Sequence, residues 1–294
     1  MNILTILRCP LCRTTLARED KSLRCEKGHC FDLAKEGYVN LLPPGKGKNA
    51  RTGDEKDMLR ARREFLAGEY YAPISDGIAS LLHRYLPKGE TVLCDSGCGE
   101  GWHTLRYTRG LSGMGDRDLL TVGFDASKYG AACGMKAARR EGVDCEIGLD
   151  SRLLAYFFPG NLFALPLADG SVSAVISMFA PVAAEENRRI LAQNGILLTA
   201  ASGREHLREM RELLYTDVHY SDKEPEYEGF MLADHETVRY TVSLPDKAAI
   251  GNLFMMTPFY YKTTAEGQER LLYRETLTVT VETELRVYRG GGNT

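Results

Sequence analysis

The feature that most constrains the fold of this chain is the run Val92-Leu93-Cys94-Asp95-Ser96-Gly97-Cys98-Gly99-Glu100-Gly101, where a short apolar stretch breaks into three glycines at alternate positions. Trp102-His103-Thr104-Leu105-Arg106-Tyr107 follows with residues able to start a helix, so the expected order is strand, tight glycine loop, helix. Glycine permits positive φ and close approach of the backbone to a ligand. Amides at a new helix start favour an acceptor such as a carboxylate.

The residue types narrow the ligand. A dinucleotide fingerprint reads G-x-G-x-x-G, whereas here Asp95 precedes Gly97, Gly99 and Gly101 at alternate positions. An acid at the strand end repels pyrophosphate and suits an ammonium, which S-adenosylmethionine carries on its methionine tail. A second acid, Asp125, ends the next apolar run Leu119-Leu120-Thr121-Val122-Gly123-Phe124, where it can accept both ribose hydroxyls. The set resembles motif I and the ribose-binding acid of class I S-adenosylmethionine-dependent methyltransferases. That resemblance implies a cofactor site at Asp95, Gly97, Gly99, Glu100, Gly101 and Asp125. Cys94 and Cys98 read as small buried packing residues.

At 294 residues the chain has room for one large domain and a small one. Its 44% hydrophobic and 26% charged content is that of a soluble globular protein. No apolar run reaches a membrane span, and the start of the chain shows no cleavable signal pattern, so a cytoplasmic protein is expected. A net charge of -3 means that nucleic-acid contact must come from a local basic patch. Eight cysteines in a reducing compartment do not form a disulfide framework.

Four of those cysteines fall in the first thirty residues. Cys9-Pro10-Leu11-Cys12 is a metal knuckle, and Cys25-Glu26-Lys27-Gly28-His29-Cys30 supplies further donors. Three thiolates and an imidazole make a closed tetrahedral set, as for structural zinc. Spacing alone leaves either His29 or Cys30 as the fourth ligand. A segment this short cannot bury enough core to fold unaided, so the metal is expected to supply much of its folding free energy. Such a set has no open position for water, so recognition is its expected role.

Phe31-Asp32-Leu33-Ala34-Lys35-Glu36-Gly37-Tyr38-Val39-Asn40-Leu41-Leu42 comes next. With the C-P-x-C knuckle, the C-x3-H closure and the later G-D, A-R-R-x-F-L and A-G-x-Y elements, the chain is similar along nearly its whole length to the RlmA family of 23S ribosomal RNA guanine-N1 methyltransferases. The resemblance implies zinc held by Cys9, Cys12, Cys25 and His29, with Cys30 a departure from the family pattern. It also implies a 23S ribosomal RNA hairpin as partner, a homodimer, Tyr71 against the cofactor, and His206 near it.

Three parts are expected: a zinc-binding RNA-recognition domain at 1–45, a basic linker and helix at 46–71, and a methyltransferase domain at 72–294. Lys46, Lys48, Arg51, Lys56, Arg60, Arg62 and Arg63 make the linker the most cationic stretch, for which phosphates are the natural partner. Helical spacing of Met58, Leu59, Arg62, Phe65 and Leu66 begins near Asp54, a suitable cap.

Beyond it, apolar runs alternate with amphipathic stretches as in a doubly wound α/β sheet. Strands are expected at Thr91 to Cys94, Leu119 to Phe124, Cys145 to Gly148, Ala174 to Met178 and Gly195 to Ala200. Two more, Val238 to Ser243 and Thr276 to Val287, flank a helix at Lys247 to Met255. Closure by such a pair, the last strand antiparallel, is what the resemblance to class I methyltransferases implies, giving a seven-stranded Rossmann-like sheet. Helices are expected at Ala131 to Arg140, Glu185 to Leu191 and Glu205 to Tyr215.

Asn161 and Leu162 open a stretch that looks like the adenine-contacting loop of this superfamily, with an amide in place of the usual acid. Met178-Phe179-Ala180-Pro181 resembles the Pro-aromatic signature with which related amino-methylating enzymes hold a base. There Phe179 could stack on guanine and Pro181 fix a backbone carbonyl. Guanine N1 carries a proton at neutral pH, so a carboxylate is needed to accept it; Glu185 and Glu186 are the nearest acids by sequence. Methylation of another RNA or a small molecule, and a non-enzymatic zinc-dependent RNA-binding protein, are the alternatives.

Overall fold

The computed structural model describes residues 1–43, 56–216 and 225–290. The N-terminal unit holds three short antiparallel strands, β1 (Leu16–Glu19), β2 (Ser22–Cys25) and β3 (Cys30–Asp32). Strands this short bury little among themselves. Their apolar residues instead join a larger core: Ile3, Leu7, Leu23 and Leu41 pack with Phe124 and Phe158 of the main sheet. Each such buried side chain contributes roughly 1.5–3 kcal/mol. The unit therefore draws stability from the sheet as well as from any metal, a second source that its own length and spacing do not reveal.

Helices α1 (Lys56–Ala67) and α2 (Ala72–Tyr85) lead into β4 (Gly89–Ser96). The chain then alternates through α3 (Trp102–Gly113), β5 (Arg117–Asp125), α4 (Lys128–Arg140), β6 (Leu153–Pro159), β7 (Val172–Met178), α5 (Ala184–Ile190), β8 (Leu191–Ser202) and α6 (Arg208–Leu214). It ends with β9 (Phe230–Leu244), α7 (Lys247–Met255), α8 (Ala265–Leu272) and β10 (Leu277–Gly290). The seven strands lie in the order β6-β5-β4-β7-β8-β10-β9. Only β10 runs antiparallel to its neighbours on both sides. The order reverses beside β4, so a ligand crevice opens at the carboxyl ends of β4 and β7.

The expected strand at Cys145 to Gly148 is not formed. That stretch is a loop with an isolated bridge from Asp144 to Leu154, while the strand is Leu153–Pro159. Cys145 and Ile147 are buried and Glu146 exposed, an alternation that mimics a strand. The continuous apolar run Leu-Leu-Ala-Tyr-Phe-Phe is what a sheet covered on both faces needs. Although β6 ends the sheet, the N-terminal unit covers it: the Leu41 amide donates to the Pro159 carbonyl at 3.0 Å. Helix α8 has no counterpart in the expected elements, and α6 begins at Arg208, after turns at residues 204–207. Lys46, Lys48, Arg51 and Asp54 lie outside the described residues.

Candidate cofactor site and metal centre

At the carboxyl end of β4 the Asp95 carboxylate is 2% exposed. Thr104 Oγ1 and Tyr107 Oη, both on α3, donate to its Oδ2, while Oδ1 is buried without a hydrogen-bond partner among the described residues. Burial pushes this carboxyl up to about 6, against the lowering effect of the two hydrogen bonds. An orphaned carboxylate oxygen at a crevice suits a cationic donor, and the α-ammonium of a methionine tail is one.

The loop beyond Asp95 has no room for a side chain at two of its glycines. Gly97 has φ +99°, and a Cβ there would come within 2.5 Å of Ala180 Cβ. Gly101 has φ +82°, and its Cβ would meet the Phe157 ring at the same distance. The Gly99 amide donates to Asp125 Oδ2 at 3.2 Å and the Ser127 amide to Oδ1 at 2.8 Å, which fixes the second acid beside the loop. From there the Gly160 amide donates to the Asp125 carbonyl at 2.8 Å. Leu162 Cδ1 lies 3.8 Å from where a Gly97 Cβ would sit. Asn161 and Leu162 are thus carried alongside both Asp125 and the glycine loop. Asn161 Oδ1 is occupied by the Phe163 amide at 3.1 Å. Glu100 is buried, with Arg62 of α1 at 3.7 Å.

An aromatic wall faces this cradle. Tyr71, 2% exposed, has the ring centroids of His206, Phe179 and His103 at 6.0, 6.4 and 6.4 Å. The Glu282 amide donates to His206 Nδ1 at 3.3 Å. A neutral His206 therefore carries its proton on Nε2, 3.4 Å from Tyr71 Oη. Burial lowers His206 to about 4 and His103 to about 3, so both rings are neutral at pH 7. His103, hydrogen-bonded to Ser75 Oγ at 2.7 Å, was not foreseen from sequence. Its signal was its place in the first turn after Gly101, on the helix that leaves the cradle.

Phe179 sits at the end of β7 with φ +50° and is 45% exposed. A bulky residue in the left-handed region is strained, and such strain gathers at functional sites. Pro181 and Glu185 are exposed. Glu186 is buried and engaged: Oε1 accepts from the Leu165 amide and from Arg189 at 2.7 Å, Oε2 from Arg189 at 2.8 Å. Burial alone would raise this carboxyl, but Arg189 holds it below its ordinary value. A carboxylate so committed is a brace and not a proton acceptor, which removes it from the pair suggested by proximity in sequence.

Lys56, Arg60 and Arg63 of α1 are exposed and each has a partner at the surface. Arg63 donates to Tyr129 Oη at 3.3 Å, Lys56 lies over the Tyr129 ring at 5.8 Å, and Arg60 pairs with Asp57 at 3.6 Å. The two contacts to Tyr129 anchor α1 against α4 beside the glycine loop.

The metal-binding residues come together in the N-terminal unit. Cys9, Cys12, Cys25 and His29 place one ligand atom each within 4.8 Å of one another. Tetrahedral zinc, with bonds of about 2.3 Å to sulfur and 2.0–2.1 Å to nitrogen, needs ligand atoms roughly 3.4–3.8 Å apart. His29 Nδ1 is 3.5 Å from Cys9 Sγ and 3.3 Å from Cys25 Sγ, and Cys12 Sγ is 3.6 Å from Cys25 Sγ. These three separations lie close to zinc spacing, and three thiols with one imidazole are a donor set that suits zinc. Cys30 is exposed on β3 and outside this cluster, so the geometry favours His29 as the fourth donor. Among the described residues no helix is long and apolar enough to cross a membrane.

Counting from β4 as the first strand of the main sheet, the order reads 3-2-1-4-5-7-6, with the seventh antiparallel. With a glycine loop after the first strand and an acid after the second, this is a class I methyltransferase fold bearing a metal-binding N-terminal unit. Residues 7–51 match the zinc ribbon described as the RlmA N-terminal domain. A 23S rRNA (guanine(748)-N(1))-methyltransferase of Streptomyces fradiae is 32% identical over 263 residues, 87% of this chain and 86% of its own. Candidate 23S rRNA (guanine-N(1)-)-methyltransferases of Micromonospora griseorubida and Bacillus subtilis strain 168 are each 30% identical, over 98% and 96% of both chains. The chain belongs to the family of 23S rRNA (guanine-N1)-methyltransferases.

Proposed function

We propose that this protein transfers the methyl group of S-adenosylmethionine to N1 of a guanine in 23S ribosomal RNA. The observation that carries the reading is the pairing, in one chain aligned nearly end to end with its relatives, of a four-ligand metal cluster and a cradle whose buried Asp95 lacks a partner on Oδ1. A hairpin as target, a homodimer as working form and the cytoplasm as location follow from the family resemblance and are part of the same proposal.

The residues divide the work. Asp95 receives the ammonium of the cofactor, the 97–101 loop its methionine backbone, Asp125 its ribose, and Asn161 with Leu162 its adenine. Tyr71 and His206 close the cradle on the aromatic side, where a neutral imidazole adds no repulsion toward a sulfonium. S-adenosylmethionine supplies a methyl group already activated by its positive sulfur. The protein's task is then alignment and exclusion of water. Phe179, held outward by its strained backbone, stacks on the target guanine, and Pro181 fixes the turn behind it. Glu185 is the carboxylate of the 185–186 pair left to take the N1 proton. Zinc on Cys9, Cys12, Cys25 and His29 rigidifies the unit that meets RNA.

The test is transfer of label from methyl-labelled S-adenosylmethionine to deproteinised 23S RNA, with primer-extension mapping in a deletion strain. A single reverse-transcription stop at a guanine, lost on deletion, is expected. No transfer by zinc-replete protein would sink the reading.

A further inference from the structure

The N-terminal unit grips the segment that carries Asn161 and Leu162 at both of its ends. At the start, the Leu41 amide donates to the Pro159 carbonyl at 3.0 Å. At the far end the Arg8 amide donates to the Pro166 carbonyl and the Ala168 amide to the Ile6 carbonyl, each at 2.8 Å, and Leu7 bridges Leu167. Between these, Arg13 Nη1 donates to the Leu165 carbonyl at 2.6 Å, and its Nη2 lies 3.7 Å from Glu186, which in turn accepts from the Leu165 amide.

Arg13 belongs to the metal knuckle. It follows Cys12 directly, has φ +64°, and its amide donates to the Cys9 carbonyl at 2.8 Å. Its backbone is therefore set by the turn that brings Cys9 and Cys12 onto one ion. A contiguous path runs from the Cys9–Cys12 pair through this turn to the Leu165 carbonyl, and along three residues of chain to Leu162 against Gly97.

We infer that Arg13 is a positioning residue for the cofactor: the metal knuckle, acting through it, holds the 161–165 loop in the shape that receives the adenine. The metal unit then has two tasks, RNA recognition on its outer surface and support of the donor site on its inner one. This rests on the methyltransferase reading. Arg189 also donates to the Leu165 carbonyl, at 3.0 Å, so loss of Arg13 loosens the loop without dissolving it. A charge-assisted hydrogen bond shared in this way is worth about three- to tenfold in affinity.

The experiment compares wild type, Arg13→Ala, Arg13→Lys and, as a control in the same unit, Arg24→Ala, whose partner is the exposed Glu19 at 2.7 Å. S-adenosylhomocysteine binding is measured by calorimetry, zinc content by metal analysis, and exchange protection of 159–168 by mass spectrometry. Arg13→Ala should keep one zinc, bind S-adenosylhomocysteine about three- to tenfold more weakly and lose protection across 161–165. KM for S-adenosylmethionine should rise with kcat unchanged; Arg13→Lys should recover part of the loss, and Arg24→Ala should match wild type. Unchanged affinity in Arg13→Ala, or weaker binding explained by lost zinc, would overturn the inference while leaving the methyltransferase reading intact. Failure of wild type itself to bind S-adenosylhomocysteine would overturn both.

Discussion

Replacing Asp95 by Asn should weaken cofactor binding and remove a pH-dependent cost to stability. The Asp95 carboxyl stands at about 6 in the fold against an ordinary 3.8, because it is buried with one oxygen unpartnered. A carboxyl raised by folding binds its proton more tightly in the native state. Its ionisation therefore costs nothing below pH 3.8, costs progressively more up to about pH 6, and costs the full amount above that. The gap corresponds to roughly 3 kcal/mol.

The amide that Asp95→Asn introduces never ionises, and although its own unpaired NH2 is costly to bury, about 1–3 kcal/mol, that cost does not vary with pH. The stability of Asp95→Asn relative to wild type should thus improve by about 3 kcal/mol between roughly pH 4 and pH 8. The same change removes the charge that faces the ammonium of the cofactor, so affinity for S-adenosylhomocysteine should fall roughly 10- to 100-fold. Urea unfolding of the ligand-free protein at several pH values gives the first quantity and calorimetry the second. A stability difference flat with pH, or affinity retained within about twofold, would refute the assignment of Asp95 as a strained carboxylate waiting for a cation.

Glu185→Gln should cut turnover by about 10²-fold with S-adenosylhomocysteine affinity unchanged, while Glu186→Gln should chiefly lower stability by loosening Arg189 and Arg13; steady-state kinetics and thermal melts separate the two, and full turnover in Glu185→Gln would remove it as the proton acceptor. Phe179→Ala should lower kcat/KM for RNA by about 1–3 kcal/mol of lost stacking with little change in cofactor binding. Equal effects on both ligands, in filter-binding and calorimetric titrations, would make Phe179 a packing residue. Removing zinc with a chelator should lower the unfolding midpoint and expose Ile3, Leu7 and Leu23 to solvent, since these side chains connect the ribbon to the sheet; a protein that melts identically with and without metal would contradict this coupling.

Much of the architecture was legible because it is written in local patterns. The glycine loop and the runs ending at Asp95 and Asp125 each demand one backbone solution, and the structure adopts it. The misplacement of the third parallel strand shows where such reading stops. Cys145 to Gly148 alternates as a half-buried strand does, while Leu153–Pro159 is a solid apolar block that local pattern cannot distinguish from a helix segment. What decides between them is long-range: the block is covered on its outer side by Leu7, Leu23 and Leu41, from a part of the chain far earlier in sequence.

The site divides along the same line. Asp95, Asp125 and the Cys9, Cys12, Cys25 and His29 set stand out in sequence by type and spacing alone, and the fold brings each group together: the two acids beside the glycine loop and the four donors within 4.8 Å of one another. Glu185 and Glu186 could not be told apart, being the same residue at adjacent positions on one short helix. Their difference is that one faces solvent and the other is closed in by Arg189, Arg13 and the Leu165 amide, drawn from three separate segments. His103 was passed over for the converse reason. A histidine in a helix has no local signature, and its place opposite Tyr71 arises only when α2 and α3 pack, joining Ser75 to its Nδ1. Burial is what local sequence does not state: it turns Glu186 into a brace for Arg189 and leaves the His103 and His206 rings neutral.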